Sequence, residues 1–278
     1  MISLPPLCGL DELLRTLELE PSATGFRARN LDIEYHRVFG GQIIAQLITA
    51  AAATTPTKTV KSISVVFCRE GVTGTPMDYA VERLHDGRTF GTSRITASQN
   101  DKVIATALVS MHVAEAGFER NDAPPNVGQP EEATPVDLML VPWEVRAVDG
   151  VDLTSASTGP PVFEMWMRAT HLGDAPHLHQ ALLAHATDLT LIGTALRPFD
   201  GVSQADTGIT LHTAVTSHSL SFHRPFRLDE WVLLVQRSPI ASGGRAFGRG
   251  DVFDGDGRLV ASYSQESMIR GIDQLKES

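Results

Sequence analysis

The stretch GRTFGTSRITASQNDKVIATALVSM (residues 87–111) returns, altered but ungapped, as GRAFGRGDVFDGDGRLVASYSQESM at residues 244–268. Gly87/Gly244, Arg88/Arg245, Phe90/Phe247, Gly91/Gly248, Val103/Val260, Ser110/Ser267 and Met111/Met268 coincide at an offset of 157 residues. Upstream, Phe67-Cys68-Arg69 answers Phe222-His223-Arg224 at an offset of 155. Two matches in the same order, nearly the same distance apart, argue for internal duplication. In each copy a turn-forming run, Asn100-Asp101 or Asp254-Gly255-Asp256-Gly257, separates two stretches suited to β-structure. The heart of the repeat is therefore a β-hairpin.

Working outward, each copy has the same plan: helix first, strands after. In the first copy, residues 38–53 (VFGGQIIAQLITAAAA) are apolar on almost every side, which predicts a buried helix with Gly40-Gly41 at its start. Strands are expected at residues 62–67, 79–84, 90–99 and 103–113. In the second copy, residues 179–186 predict a helix and residues 189–196 another, with Asp188 as its N-cap. Strands are expected there at 211–222, 231–237, 245–253 and 259–268. The Pro-, Asn- and Glu-rich chain from residue 121, continued to residue 160, reads as a linker between a first repeat (1–120) and a second (161–278). One buried helix followed by consecutive strands, twice over, implies an α+β fold in which an antiparallel sheet wraps a helix.

The 278 residues are ample for a buried core, and a formal net charge of -10 argues against a nucleic-acid partner. A phosphate-bearing ligand would need a local basic patch; Arg245 and Arg249 are candidates. Cys8 and Cys68 have neither CxxC nor metal-ligand spacing, so two reduced thiols are expected. The first ten residues lack a basic region and a long apolar run, and the best apolar run, residues 43–53, is too short to span a bilayer. A cytoplasmic protein without a membrane partner is the expectation.

No GxSxG elbow, Walker loop or HExxH occurs. His171, His177, His179 and His185 lie close in sequence, but without a second Cys/His cluster they read as helix-face or surface residues, and no metal is expected. Met165, Trp166 and Met167 read as core. Asp188 alone reads as a helix cap. Gln265 is more telling. In the ungapped alignment it replaces Leu108, and an amide on an apolar strand face needs partners once buried. One copy has Leu and the other Gln, which suggests that only the second copy holds a site.

The chain resembles the acyl-CoA thioesterase II family. The resemblance rests on Val38-Phe39-Gly40-Gly41-Gln42, the run LHQALLA at 178–184, Thr187-Asp188-Leu189, His218-Ser219 with Phe222-His223-Arg224-Pro225-Phe226, and Ser264-Gln265-Glu266 with Met268-Ile269-Arg270. It implies a double hotdog fold and hydrolysis of fatty acyl-CoA to free acid and coenzyme A, without a cofactor. It also implies an Asp, a Thr or Ser, and a Gln around one attacking water. The Asp falls on Asp188 and the Gln on Gln265. The hydroxyl position, three residues before His218, is occupied by Val215, a departure from the family pattern. Thr216 is the nearest substitute, and a β-bulge would be needed to turn it inward. Two other readings stay open: a non-catalytic acyl-CoA-binding protein, motivated by Val215, and a hotdog enoyl-CoA hydratase or dehydratase, which would pair Asp188 with His218 or His223. By analogy with edge-to-edge association of such sheets, a homo-oligomer is expected.

Overall fold

The computed structural model describes residues 7–33 and 37–272. The chain runs α1 (Leu10–Thr16), β1 (Glu20–Ser22), β2 (Gly25–Ala28), α2 (Gly40–Thr54), β3 (Thr59–Phe67), β4 (Met77–Asp86), β5 (Phe90–Gln99) and β6 (Lys102–His112). It continues through β7 (Thr134–Leu138), β8 (Val141–Ala147), β9 (Val162–Arg168), α3 (Pro176–Thr187), α4 (Leu191–Leu196), β10 (Leu211–Phe222), β11 (Val232–Ser242), β12 (Arg245–Asp254) and β13 (Leu259–Gly271). The thirteen strands form one antiparallel sheet, β1-β2-β4-β5-β6-β3-β10-β13-β12-β11-β9-β8-β7. Read outward from its middle, this order is nearly the same in both directions, which is the expected α+β double hotdog.

The two copies meet where β3 pairs β10, from Ser217↔Val66 to Ser221↔Ser62. Adding 155 to Ser62 and Val66 gives Ser217 and Ser221, the residues they face crosswise, so a local two-fold axis runs through this seam. The symmetry extends to side chains: Arg69 donates to the Val103 carbonyl and Arg224 to the Leu259 carbonyl, each at 2.8 Å.

The strand pairing corrects the ungapped alignment. Ser98 faces Val103 as Phe253 faces Leu259, and Ile63 faces Val109 as His218 faces Gln265. The structural offset is therefore 155 along β12 and 156 along β13, not 157. Five residues, 254–258, turn the second hairpin where four, 99–102, turn the first, and the extra residue shifts everything after it. A one-residue slip swaps strand faces. The true counterpart of Gln265 is buried Val109; Leu108 points to solvent and is 54% exposed.

Two further expectations are corrected. Within residues 121–160, β7 and β8 pair with each other and β8 with β9, extending the second half of the sheet rather than merely connecting the halves. Val141, Val145 and Ala147 alternate inward there, a strand pattern masked by the surrounding Pro and Glu residues. Asp188 does not cap a following helix: it is the C-cap of α3, with helical φ −78° and ψ −25°, and Thr190 precedes α4.

Ile43, Ile44, Leu47 and Ile48 of α2 are at most 2% exposed, each contributing about 1.5–3 kcal/mol of apolar burial. The helix lies against β3–β6 and against α3, whose Leu182 and Leu183 are also buried. Gln46, inside this core, is satisfied by the Thr16 and Arg29 carbonyls and by the Tyr79 hydroxyl, so it clamps the N-terminal chain onto α2. Met165, Trp166 and Met167 are buried, as read from sequence.

Candidate active site

The N-terminus of α2 and the C-terminus of α3 meet beneath the central strands, and Asp188 lies at their junction. Its carboxylate accepts the Gly41 N–H, one of the first-turn donors that helix geometry leaves without an intrahelical partner. The approach is close because Gly40 and Gly41 have no side chains. A Cβ on Gly40 would meet Asp188 Oδ2 at 2.9 Å, and one on Gly41 would meet the His185 carbonyl at 2.3 Å. Asp188 is 3% exposed, and its Oδ1 has no hydrogen-bond partner among the described residues. Burial pushes its pKa up to about 7, against the smaller opposing pull of the Gly41 N–H. Near neutral pH such a carboxylate can both take and return a proton.

Gln265 and His218 come down from the sheet as directly paired residues of β13 and β10. His218 Nδ1 lies 3.1 Å from Gln265 Oε1, and the Gln265 amide donates to the Ser267 hydroxyl at 3.0 Å. His218 Nε2 lies 3.1 Å from the Thr187 hydroxyl, and the Tyr263 ring stacks on the imidazole at 6.0 Å. The same Nδ1 is 4.0 Å from Asp188 Oδ1. That approach is within ion-pair range, but burial works against the pair. It pushes His218 down to about 4 and Asp188 up to about 7, disfavouring the charged form of each.

Asp188 and Gln265 are thus brought together around His218. Thr216 is not. The expected bulge does fall between Val215 and Ser217, yet the Thr216 hydroxyl donates to the Glu266 carbonyl at 3.1 Å on the exposed side of the strand. The buried hydroxyls at the site belong instead to Thr187 and Ser267, neither singled out from sequence. Ser267 had a signal: it shares strand parity with Gln265. Thr187 had none beyond adjacency to Asp188. Gly40-Gly41 was legible as the start of a buried helix whose N–H groups are candidate oxyanion donors, but not as the partner of Asp188.

The remaining candidates disperse. Arg245 makes a loose 3.8 Å contact with Glu266 on the outer face, and Arg249 is exposed on β12. His179 Nδ1 accepts the Leu228 N–H, His185 Nε2 donates to the Leu140 carbonyl, and no three metal-ligating side chains converge among the described residues. Cys8 and Cys68 are free thiols. Among the described residues no helix is long and apolar enough to cross a membrane.

Residues 31–112 match the family model of an acyl-CoA thioesterase N-terminal domain, and residues 115–269 that of an acyl-CoA thioesterase C-terminal domain. Acyl-CoA thioesterase 2 of Haemophilus influenzae is 33% identical over 94% of this chain and 98% of its own. Human acyl-coenzyme A thioesterase 8 is 29% identical over 94% of this chain and 90% of its own. Among solved structures, an acyl-CoA thioesterase II from Mycobacterium marinum superposes with a TM-score of 0.78 at 32% identity, over 94% of this chain and 99% of that one.

Proposed function

We propose a single-water mechanism for this chain, which belongs to the acyl-CoA thioesterase II family and is a thioester hydrolase. Its substrate is a fatty acyl-CoA. Asp188 Oδ1 accepts a proton from water as the water oxygen bonds to the thioester carbonyl carbon. The Gln265 amide, anchored at its other N–H by Ser267, donates to that water and holds it in line. First-turn N–H groups of α2 not engaged by Asp188 hold the developing oxyanion, where the helix dipole favours negative charge. The tetrahedral intermediate then expels the coenzyme A thiolate, which recovers the proton from Asp188. The products are a carboxylic acid and coenzyme A. A thioester has a good leaving group and weak resonance, so this route needs no covalent enzyme intermediate. Thr216 has no role in it; its hydroxyl is committed to the Glu266 carbonyl.

The observation carrying the reading is a fully buried carboxylate with one unpartnered oxygen, its pKa near 7, beside an amide held in place. A hydratase-like role for His218 is disfavoured, because both its ring nitrogens are engaged, one by Gln265 and one by Thr187. The test is release of coenzyme A thiol from acyl-CoAs of graded chain length, followed with a thiol-reactive dye. Gln265→Ala should lower kcat by about a hundredfold. Undiminished turnover in that variant would remove Gln265 from the mechanism, and binding without turnover in the wild type would make the protein a carrier.

A further inference from the structure

The two-fold axis pairs each residue of the site with a sister residue in the first half. His218 and Gln265 face each other across β10 and β13; their sisters Ile63 and Val109 face each other across β3 and β6. All four are buried. The fold therefore accommodates an aliphatic pair at this place without loss of architecture. The polar pair in the second half carries a desolvation cost that packing alone does not require. What distinguishes the two places is Asp188, which approaches only the polar pair.

The imidazole supplies a specific set of bonds. Gln265 Oε1 can only accept, so His218 Nδ1 carries the proton that bridges the 3.1 Å between them. A neutral ring then has a bare Nε2, 3.1 Å from the Thr187 hydroxyl, whose single proton is shared between that nitrogen and the Ala184 carbonyl at 2.9 Å. With its carbonyl held by His218 and one N–H held by Ser267, Gln265 keeps a single amide orientation, its second N–H left for the water.

We propose that His218 is a positioning residue for hydrolysis, acting through Gln265: it fixes the amide orientation that holds the attacking water. The inference rests on the mechanism above. Its test is a double-mutant cycle with coenzyme A release as the readout. His218→Ile copies the sister residue and keeps the volume filled. It should lower kcat about tenfold with KM changed less than about twofold, the cost of releasing one orienting hydrogen bond. His218→Asn, whose amide can replace the Nδ1–H, should recover most of that loss. In a Gln265→Ala background, His218→Ile should cost nothing further. A loss that multiplies with that of Gln265→Ala, or a Tm decrease with kcat per folded protein unchanged, would overturn the assignment. Full activity of Gln265→Ala alone would instead bring down the mechanism on which it rests.

Discussion

Replacing Asp188 with Asn should abolish turnover and stabilise the fold at alkaline pH, and the pH at which the stabilisation appears is calculable. The carboxyl is shifted from 3.8 to about 7 by burial. Between those values the folded chain holds a proton that the unfolded chain has lost, so stability falls as pH rises through the window. At about 1.36 kcal/mol per unit, the shift costs the wild type about 4 kcal/mol once pH is well above 7. Most of this is incurred late: between about pH 5 and pH 8.5 the charge-related cost grows by about 2–3 kcal/mol. Asn carries no charge and escapes that growth, though its amide brings a buried donor whose penalty of about 1–3 kcal/mol does not vary with pH. The Tm difference between Asp188→Asn and wild type should therefore move in favour of the variant by about 3–5 °C from pH 5 to pH 8.5. Thermal unfolding by circular dichroism in matched buffers measures it. Over the same series, coenzyme A release should be lower by about a thousandfold. A Tm difference flat across pH would refute the raised pKa, and retained hydrolysis would refute the base.

In the wild type, kcat/KM for acyl-CoA hydrolysis should rise with pH and level off with an apparent pKa near 7, as the buried carboxyl ionises; a plateau already reached at pH 5 would contradict this. Gly40→Ala places a Cβ 2.9 Å from Asp188 Oδ2 and 3.3 Å from the Phe67 ring, so the carboxylate must move. We expect about a tenfold loss of kcat with unchanged circular dichroism, and no loss would mean the close approach is idle. Thr216→Val should leave kcat within about twofold, since its hydroxyl bonds outward; a large loss would return it to the catalytic set. His185 is buried and neutral, its pKa pushed down to about 4, so it lowers stability as pH falls through about 6.5 toward 4. His185→Phe should gain about 2–3 kcal/mol on the wild type between pH 7.5 and pH 4.5 in urea titrations, and a pH-independent difference would show the ring is not held neutral.

What could be read from sequence, and what could not, divides along a physical line. The duplication and the helix-then-strands plan were legible, because periodicity and turn chemistry are local signals, and the burial of the Gln265 amide was legible from its place on a strand. Registers were not. The Gly-Arg-x-Phe-Gly identities pull an ungapped alignment two residues out along β12, and nothing local reveals that the following turn is one residue longer. The partner of Gln265 was misread for that reason. Asp188 looked like a cap because Asp commonly begins helices, but its bond runs to Gly41, a contact between two helices remote in sequence. The direction of the Thr216 hydroxyl, which bonds the Glu266 carbonyl, likewise depends on backbone geometry at a bulge that composition does not encode. β7 and β8 were hidden because their flanks are rich in turn formers.

The seam between β3 and β10 has an evolutionary consequence. In an assembly of identical single repeats, any substitution near the axis would be imposed on both sides at once, so a buried imidazole and amide would appear twice. Fusing the copies into one polypeptide frees each half to drift alone. Here the first half carries an aliphatic pair, Ile63 and Val109, where the second carries His218 and Gln265 at a cost in desolvation. The two helix junctions are thereby free to differ, and on the proposed mechanism a single covalent chain carries one catalytic centre where two identical repeats would carry two.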